Sequence, residues 1–72
     1  MDTVVDLGLK PISLREAEVL NALSDHLTNA QIAQKLHISV RTVESHVSSV
    51  LRKLQLSTRH QLSRWAAERR LL

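Results

Sequence analysis

The sequence predicts an all-α domain of four helices, and three observations carry this prediction. A single glycine and a single proline among 72 residues leave few points where a helix must break. Aliphatic residues return at intervals of three and four, which is the period of a helix buried along one side. Serine or threonine precedes each of these stretches, where a helix needs an acceptor for its free backbone amides.

Composition limits the class of protein. A chain of 72 residues makes one small domain, which buries roughly 60% of the surface of its unfolded chain. The lack of cysteine excludes disulfides, thiolate zinc sites and cysteine nucleophiles, and is compatible with the cytoplasm, where we expect the protein to act. No apolar run approaches the ~20 residues of a membrane span, so no membrane partner is expected. Trp65 is the sole aromatic residue, which argues against a single-strand nucleic-acid binder that stacks bases.

Residues 1–12 show no period, and we expect a flexible lead-in or linker remnant there, before a folded domain at 13–72. Ser13 and Glu16 have the spacing of a capping box, in which each side chain satisfies a backbone amide of the other residue. They predict a first helix at about 14–25. Its apolar stripe consists of Leu14, Val19, Leu20 and Leu23.

The second helix is short, and its connection to the third is tight. Thr28 and Gln31 repeat the capping-box spacing and predict a helix at about 29–36. His37 and Ile38 then form the link. A short helix, a link of three or four residues and a longer helix make up a helix-turn-helix, whose second member enters the major groove of DNA.

The third predicted helix, at about 40–54 after the cap residue Ser39, organises the chain. Its aliphatic stripe consists of Val43, Val47, Val50, Leu51 and Leu54. The opposite side carries Arg41, Glu44, Ser45, Ser48, Ser49 and Arg52, and apart from Glu44 and the two arginines its side chains are short and uncharged. Serine lowers helix propensity because its hydroxyl competes for backbone hydrogen bonds. Such a side suits close contact with small hydrogen-bonding groups, as in a major groove; an ordinary solvated face is the alternative.

Ser57 and Thr58 precede a fourth predicted helix at about 59–70. One side of this helix carries Leu62, Trp65 and Ala66. Trp65 serves either as a core anchor or as an interface anchor, and the breadth of the apolar side favours an interface between two copies.

Charge is unevenly distributed along the chain. Residues 1–34 carry two basic and five acidic side chains, a net −3, whereas residues 35–72 carry eight and two, a net +6. A basic half in a small domain favours a polyanionic partner.

Several blocks of the sequence occur in the order and at the spacing of a known family. They are Leu14-x-Arg-Glu-x-Glu-Val-Leu, Thr28-Asn-x-x-Ile-Ala-x-x-Leu-x-Ile-Ser, Thr42-Val-x-x-His46, Lys53-Leu54 and Arg59. Together they resemble the LuxR-type (GerE-like) helix-turn-helix DNA-binding domain, found at the C-terminal end of many bacterial response regulators and other transcription factors. The resemblance covers about residues 13–70.

The resemblance implies a tri-helical core with a C-terminal dimerisation helix, and a third helix that reads double-stranded DNA. It places the base-facing side chains at Glu44, Ser45 and Ser48. Contacts to the DNA backbone are implied at Thr28, Asn29, Arg41, Thr42, His46, Ser49, Arg52, Lys53 and Arg59. The implied dimer interface consists of Leu62, Trp65 and Arg69. A second copy of the chain and RNA polymerase are the further candidate partners.

Two positions depart from the family pattern. Position 44 is often lysine in the family, and Glu44 reverses that charge, so the usual base contact does not transfer. A glutamate can instead accept a hydrogen bond from a cytosine amino group, although it repels nearby phosphates. Position 26 is often glycine, so His26 predicts a different C-cap or a left-handed residue.

We expect no enzymatic activity, no metal and no cofactor. The four histidines lack the spacing of helical metal ligands, and no sequence pattern brings a nucleophile, a base and an orienting acid together. The alternative function is a helical protein-interaction or dimerisation module without base readout, for which the acidic first half could supply contacts.

Overall fold

The computed structural model describes residues 3–6 and 11–69, and the four predicted helices are confirmed there. They are α1 (Leu14–Ser24), α2 (Asn29–Leu36), α3 (Val40–Leu54) and α4 (Arg59–Glu68). Helix α1 packs against each of the other three helices, and α2 packs against α3 as in a helix-turn-helix. The end of the predicted domain at 70–72 lies outside the described residues.

Two short strands, which the sequence pattern does not predict, precede the helices. Strand β1 (Thr3–Asp6) pairs antiparallel with β2 (Pro11–Ser13), with Val5 opposite Ile12 and an irregularity between Thr3 and Val5. Regular structure therefore replaces part of the expected lead-in at 1–12, whose other residues, 1–2 and 7–10, lie outside the described residues. Ile12 is fully buried in the core, so the packed unit includes residues before position 13.

Polar caps set the starts of the helices. The capping boxes predicted for α1 and α2 are both present, and Thr58 with Gln61 forms a third at α4. At α3 the Ser39 hydroxyl oxygen accepts from the Thr42 backbone amide at 3.0 Å. Each cap satisfies a donor that the helix itself cannot, which explains why the predicted starts agree with the structure.

The ends of three helices use left-handed residues that are not glycine. His26, His37 and Gln55 have φ angles of 63°, 58° and 58°, and they follow α1, α2 and α3. Glycine is the usual residue in this conformation, since a side chain there costs roughly 1–2 kcal/mol. The left-handed conformation predicted as one option for His26 is confirmed.

The core is formed by aliphatic side chains from β2 and all four helices. Its largest fully buried members are Ile12, Leu20, Leu23, Ile32, Leu62, Val19, Val43 and Val50. The expected stripe of α1 is wrong at Leu14, which is 42% exposed at the first position of the helix. Glu16 takes a buried position in the same turn.

Candidate nucleic-acid interface

Helix α3 presents one packed side and one side open to solvent. Val43, Val47, Val50 and Leu54 are buried, as the aliphatic stripe predicted, and Leu51, its fifth member, is half-buried against the core. The exposed side chains on the other side are Arg41, Glu44, Ser45, Ser48 and Arg52, which we call the open face. The three predicted base-facing residues therefore lie together on one exposed surface, with an arginine toward each end of the helix.

Thr28 caps α2, and Thr42 lies in the first turn of α3, the other helix of the helix-turn-helix. The Thr28 hydroxyl accepts from the Gln31 backbone amide at 3.1 Å, and Thr28 itself is exposed. The Thr42 hydroxyl lies 2.9 Å from the Ser39 hydroxyl. Hydroxyls and free amides at a helix start can also donate to a phosphate, so capping does not prevent the predicted backbone contacts.

Arg59 connects the start of α4 to the loop before α2. Its guanidinium donates to the Leu27 carbonyl oxygen at 2.8 Å and to the side-chain oxygen of Asn29. Two residues predicted to contact the DNA backbone, Asn29 and Arg59, are therefore bonded to each other, and both are half-buried. An arginine has five N–H donors, so this bridge leaves donors for a further acceptor.

Ser49 and Lys53 point toward α1 and join a buried carboxylate. The Ser49 hydroxyl donates to one oxygen of Glu16 at 2.9 Å, and the Lys53 ammonium donates to the other at 2.8 Å. The Ser13 backbone amide also donates to Glu16, at 3.0 Å. We call Glu16, Ser49 and Lys53 the Glu16 cluster. Both α3 residues were predicted to contact DNA, and the structure gives each a partner inside the domain.

The Glu16 side chain is 6% exposed, and burial by itself would raise the pKa of its carboxyl. Hydrogen bonds from Lys53, from the Ser13 backbone and from Ser49, together with the positive charge of Lys53, stabilise the carboxylate and outweigh burial. The pKa of Glu16 is thereby held below its ordinary value of 4.5. The ionised form is the one that links α1 to α3.

Glu16 is a residue whose second role sequence reasoning missed. The sequence predicts Glu16 only as a member of the capping box of α1, and predicts no second partner for its carboxylate. The signal was present, since a cap uses one oxygen and leaves another free to accept. Finding that partner required the packing of α1 against α3, because Ser49 and Lys53 lie 33 and 37 residues further along the chain.

The predicted dimer interface needs one correction. Leu62 is fully buried inside the single chain, so its side chain is part of the core and cannot contact a second copy. Trp65 is half-buried and packs against the edge of that core. Arg69 lies over the Trp65 ring, 4.8 Å from its centre, as in a cation–π contact.

The other predicted contact to the DNA backbone on α3, His46, is half-buried.

In residues 3–6 and 11–69 no group of three histidine, aspartate or glutamate side chains converges on a position that could hold a metal ion. No helix in that part of the chain is both long enough and apolar enough to cross a membrane.

Comparisons with known proteins agree with this geometry. The family model described as bacterial regulatory proteins, luxR family, matches residues 10–66, which include α1, α2 and α3 and most of α4. The oxygen regulatory protein NreC of Staphylococcus carnosus (strain TM300) is 38% identical over 61 residues, which are 85% of this chain and 28% of that protein. The oxygen regulatory protein NreC of Staphylococcus aureus (strain JH9) is 38% identical over 63 residues, 88% of this chain and 29% of that protein.

The chain thus spans less than a third of the length of these curated relatives. The match to the family covers the helix-turn-helix and the capping boxes of α1, α2 and α4 alike. On this evidence, the chain belongs to the luxR family of bacterial regulatory proteins, which are DNA-binding transcription regulators.

Proposed function

We propose that this chain is the output domain of a bacterial transcription regulator and binds double-stranded DNA sequence-specifically, with α3 in the major groove. The observation that carries the proposal is the open face: a continuous exposed side of α3 with small hydroxyls at its middle and an arginine toward each end. A major groove is about 12 Å wide and admits one α-helix, and serine and glutamate side chains can form hydrogen bonds with base edges there.

The proposed contacts divide into two classes. Glu44, Ser45 and Ser48 are proposed to read base edges, because they occupy the middle of the open face. Arg41 and Arg52 are proposed to bind phosphates and fix the position of the helix along the DNA. Further contacts to the DNA backbone are proposed for Thr28, Asn29, Thr42, His46 and Arg59. Thr28 caps α2 and the other four are half-buried, so their side chains have few alternative conformations.

Ser49 and Lys53 are proposed to act on DNA mainly through the Glu16 cluster. Their hydrogen bonds to Glu16 hold the second half of α3 against α1, and thereby support the orientation of the open face. A group held in place before binding loses less conformational entropy when DNA binds.

We further propose that two copies bind adjacent half-sites through α4, because a single small module buries too little surface for strong specific binding. Trp65 and Arg69 support this proposal, since a half-buried tryptophan with an exposed arginine over its ring is the kind of anchor that interfaces use. Cytoplasmic action and contact with RNA polymerase follow from the proposed role in transcription. We expect no catalytic activity.

A titration with duplex DNA at several salt concentrations tests the proposal. Release of counterions from several phosphates should lower the affinity about 10³- to 10⁵-fold between 50 and 200 mM salt if six to ten phosphates are contacted, and proportionally less for fewer contacts. An affinity that does not change with salt would contradict DNA binding. Absence of association with random duplex at low salt would favour the alternative, a helical interaction module.

A further inference from the structure

The acidic residue in the middle of the open face is unusual in its surroundings. Glu44 is one of only two acidic residues in 35–72, a half that carries eight basic ones. It is exposed on α3, next to Ser45 and four residues before Ser48.

Glu44 has no partner within the part of the chain that the structure describes. Arg41 lies three residues before it, a spacing that permits an ion pair on a helix, yet no ion pair joins Arg41 and Glu44, in contrast to Arg15–Glu18, Lys53–Glu16 and Arg69–Glu68. The carboxylate is therefore available to a ligand, and it does not serve to neutralise an arginine of its own helix.

A carboxylate in this place weakens any binding that depends on phosphates alone. It faces a polyanion and lowers the positive potential that Arg41 and Arg52 provide. Inside the groove the same carboxylate gains a strong hydrogen bond wherever a base presents a donor. Glu44 thus opposes non-specific binding and favours DNA with a donor at one position.

The four base pairs differ sharply in what they offer to a carboxylate. Thymine presents an acceptor oxygen and a methyl group, and guanine presents two acceptors, so both are unfavourable. Adenine presents an amino group directly beside the acceptor N7, which repels the second carboxylate oxygen. Cytosine presents its N4 amino group with no acceptor beside it on the same base.

We infer that Glu44 selects a cytosine in each half-site by accepting a hydrogen bond from the N4 amino group. This inference rests on the proposed function and adds the identity of the base. Ser45 and Ser48 lie beside Glu44 and have short side chains, which leave room for the carboxylate to reach a base edge.

The experiment begins with selection of bound sequences from a random duplex library by the unaltered protein and by two variants, Glu44→Ala and Glu44→Gln. Glu18→Gln is the matched control, because it makes the same change of charge on α1, away from the open face. Affinities are then measured for the selected duplex and for versions in which the cytosine pair is replaced.

For the unaltered protein and for Glu18→Gln, replacing C·G by T·A at this position should lower affinity by roughly tenfold. Glu44→Ala should bind both duplexes with similar affinity and should bind random DNA more tightly than the unaltered protein. Glu44→Gln should change the preferred base to adenine, because an amide can donate to N7 and accept from N6.

A cytosine preference that persists in Glu44→Ala, or a selected site with no position that depends on Glu44, would overturn the inference. If Ser48→Asp abolishes binding while the Glu44 variants keep the selected sequence unchanged, the inference alone fails and groove binding stands. If the unaltered protein selects no duplex, the proposed function and the inference fail together.

Discussion

The open face and the Glu16 cluster lie on the same helix and use similar residues for different purposes. Ser48 and Ser49 are neighbours, yet Ser48 is exposed on the open face and Ser49 donates to Glu16. Arg52 and Lys53 show the same contrast, since Arg52 is exposed and Lys53 is paired with Glu16. Successive residues of a helix point about 100° apart, so one step along the chain moves a side chain from solvent to the neighbouring helix.

This contrast teaches that residue type alone does not identify a DNA-contacting side chain. A serine or a lysine near the groove-facing side of a helix can serve recognition or packing. The deciding factor is whether another element of the domain supplies a partner. Here the buried Glu16 carboxylate supplies one, and the residues that reach it orient α3 instead of extending its open face.

The largest expected effect is loss of folding when a charge is placed on the packed side of α3. Val47→Asp places a charge in the buried stripe of α3, and an unpaired buried charge costs several kcal/mol. A domain of this size has a total free energy of unfolding of only about 4–11 kcal/mol. We therefore expect the variant to lose its cooperative thermal transition by circular dichroism.

Ser48→Asp is the matched control for that variant, because it adds the same charge one residue further along. A native melt is expected for Ser48→Asp, since the side chain is exposed. A native melt for Val47→Asp as well would contradict the assignment of the packed side.

The next largest effect concerns DNA affinity. Ser48→Asp should lower affinity for the selected duplex by at least about tenfold, because a second carboxylate on the open face meets acceptors and phosphates. Ser49→Ala should change that affinity much less and should instead lower the thermal stability, because it removes a hydrogen bond to the buried Glu16. Gel-shift titrations of both variants measure the difference. Equal losses of affinity would show that the two serines do not differ in role.

The Glu16 cluster should make stability depend on pH. The pKa of Glu16 in the folded protein is below its ordinary value of 4.5, so its stabilising effect is present above that value and is lost as the pH falls through the lowered folded pKa. Glu16→Gln should cost about 1–3 kcal/mol at pH 7, since it weakens the bonds to Ser49 and Lys53. Urea titrations from pH 7 to pH 3 should show this difference shrinking. A difference that does not change with pH would exclude an ionised Glu16 as the link.

The smallest effect is expected at the C-terminal end of α3, at a residue that belongs to neither the packed side nor the open face. Gln55 is left-handed without being glycine, so Gln55→Gly should relieve strain and stabilise the domain by up to about 1 kcal/mol. Gln34→Gly, at an exposed position inside α2, makes the same exchange and should destabilise by about 1 kcal/mol. Thermal melts compare the two variants. A destabilising effect of Gln55→Gly would show that the side chain of Gln55 has a role that outweighs its backbone strain.

Local signals predicted the helices well. The starts at Leu14, Asn29, Val40 and Arg59 follow Ser13, Thr28, Ser39 and Thr58, each of which caps within three residues of itself. The buried stripe of α3 follows from helical period in the same way. The strands β1 and β2 were not predicted, because they are only four and three residues long and depend on pairing with each other.

The candidate interface was predictable in part. The exposure of Glu44, Ser45 and Ser48 agrees with the helical period, and their contact with bases stays a prediction. Leu62 was wrongly assigned to the dimer interface, because an apolar side chain on a short helix gives no sign of which neighbour covers it. The bridge from Arg59 to Asn29 and Leu27 joins residues about 30 positions apart, beyond the reach of any local pattern.

The sequence by itself determined where helices begin, which side of α3 is apolar and which family the chain resembles. These depend on contacts within four residues, or on the order of short motifs, and both can be read along the chain. Only the tertiary structure decided which polar residues of α3 remain open to a partner. Which of them are exposed depends on the buried Glu16 carboxylate of α1. A buried charge is stable only when hydrogen-bond donors surround it, and the packing of the helices determines which residues supply those donors.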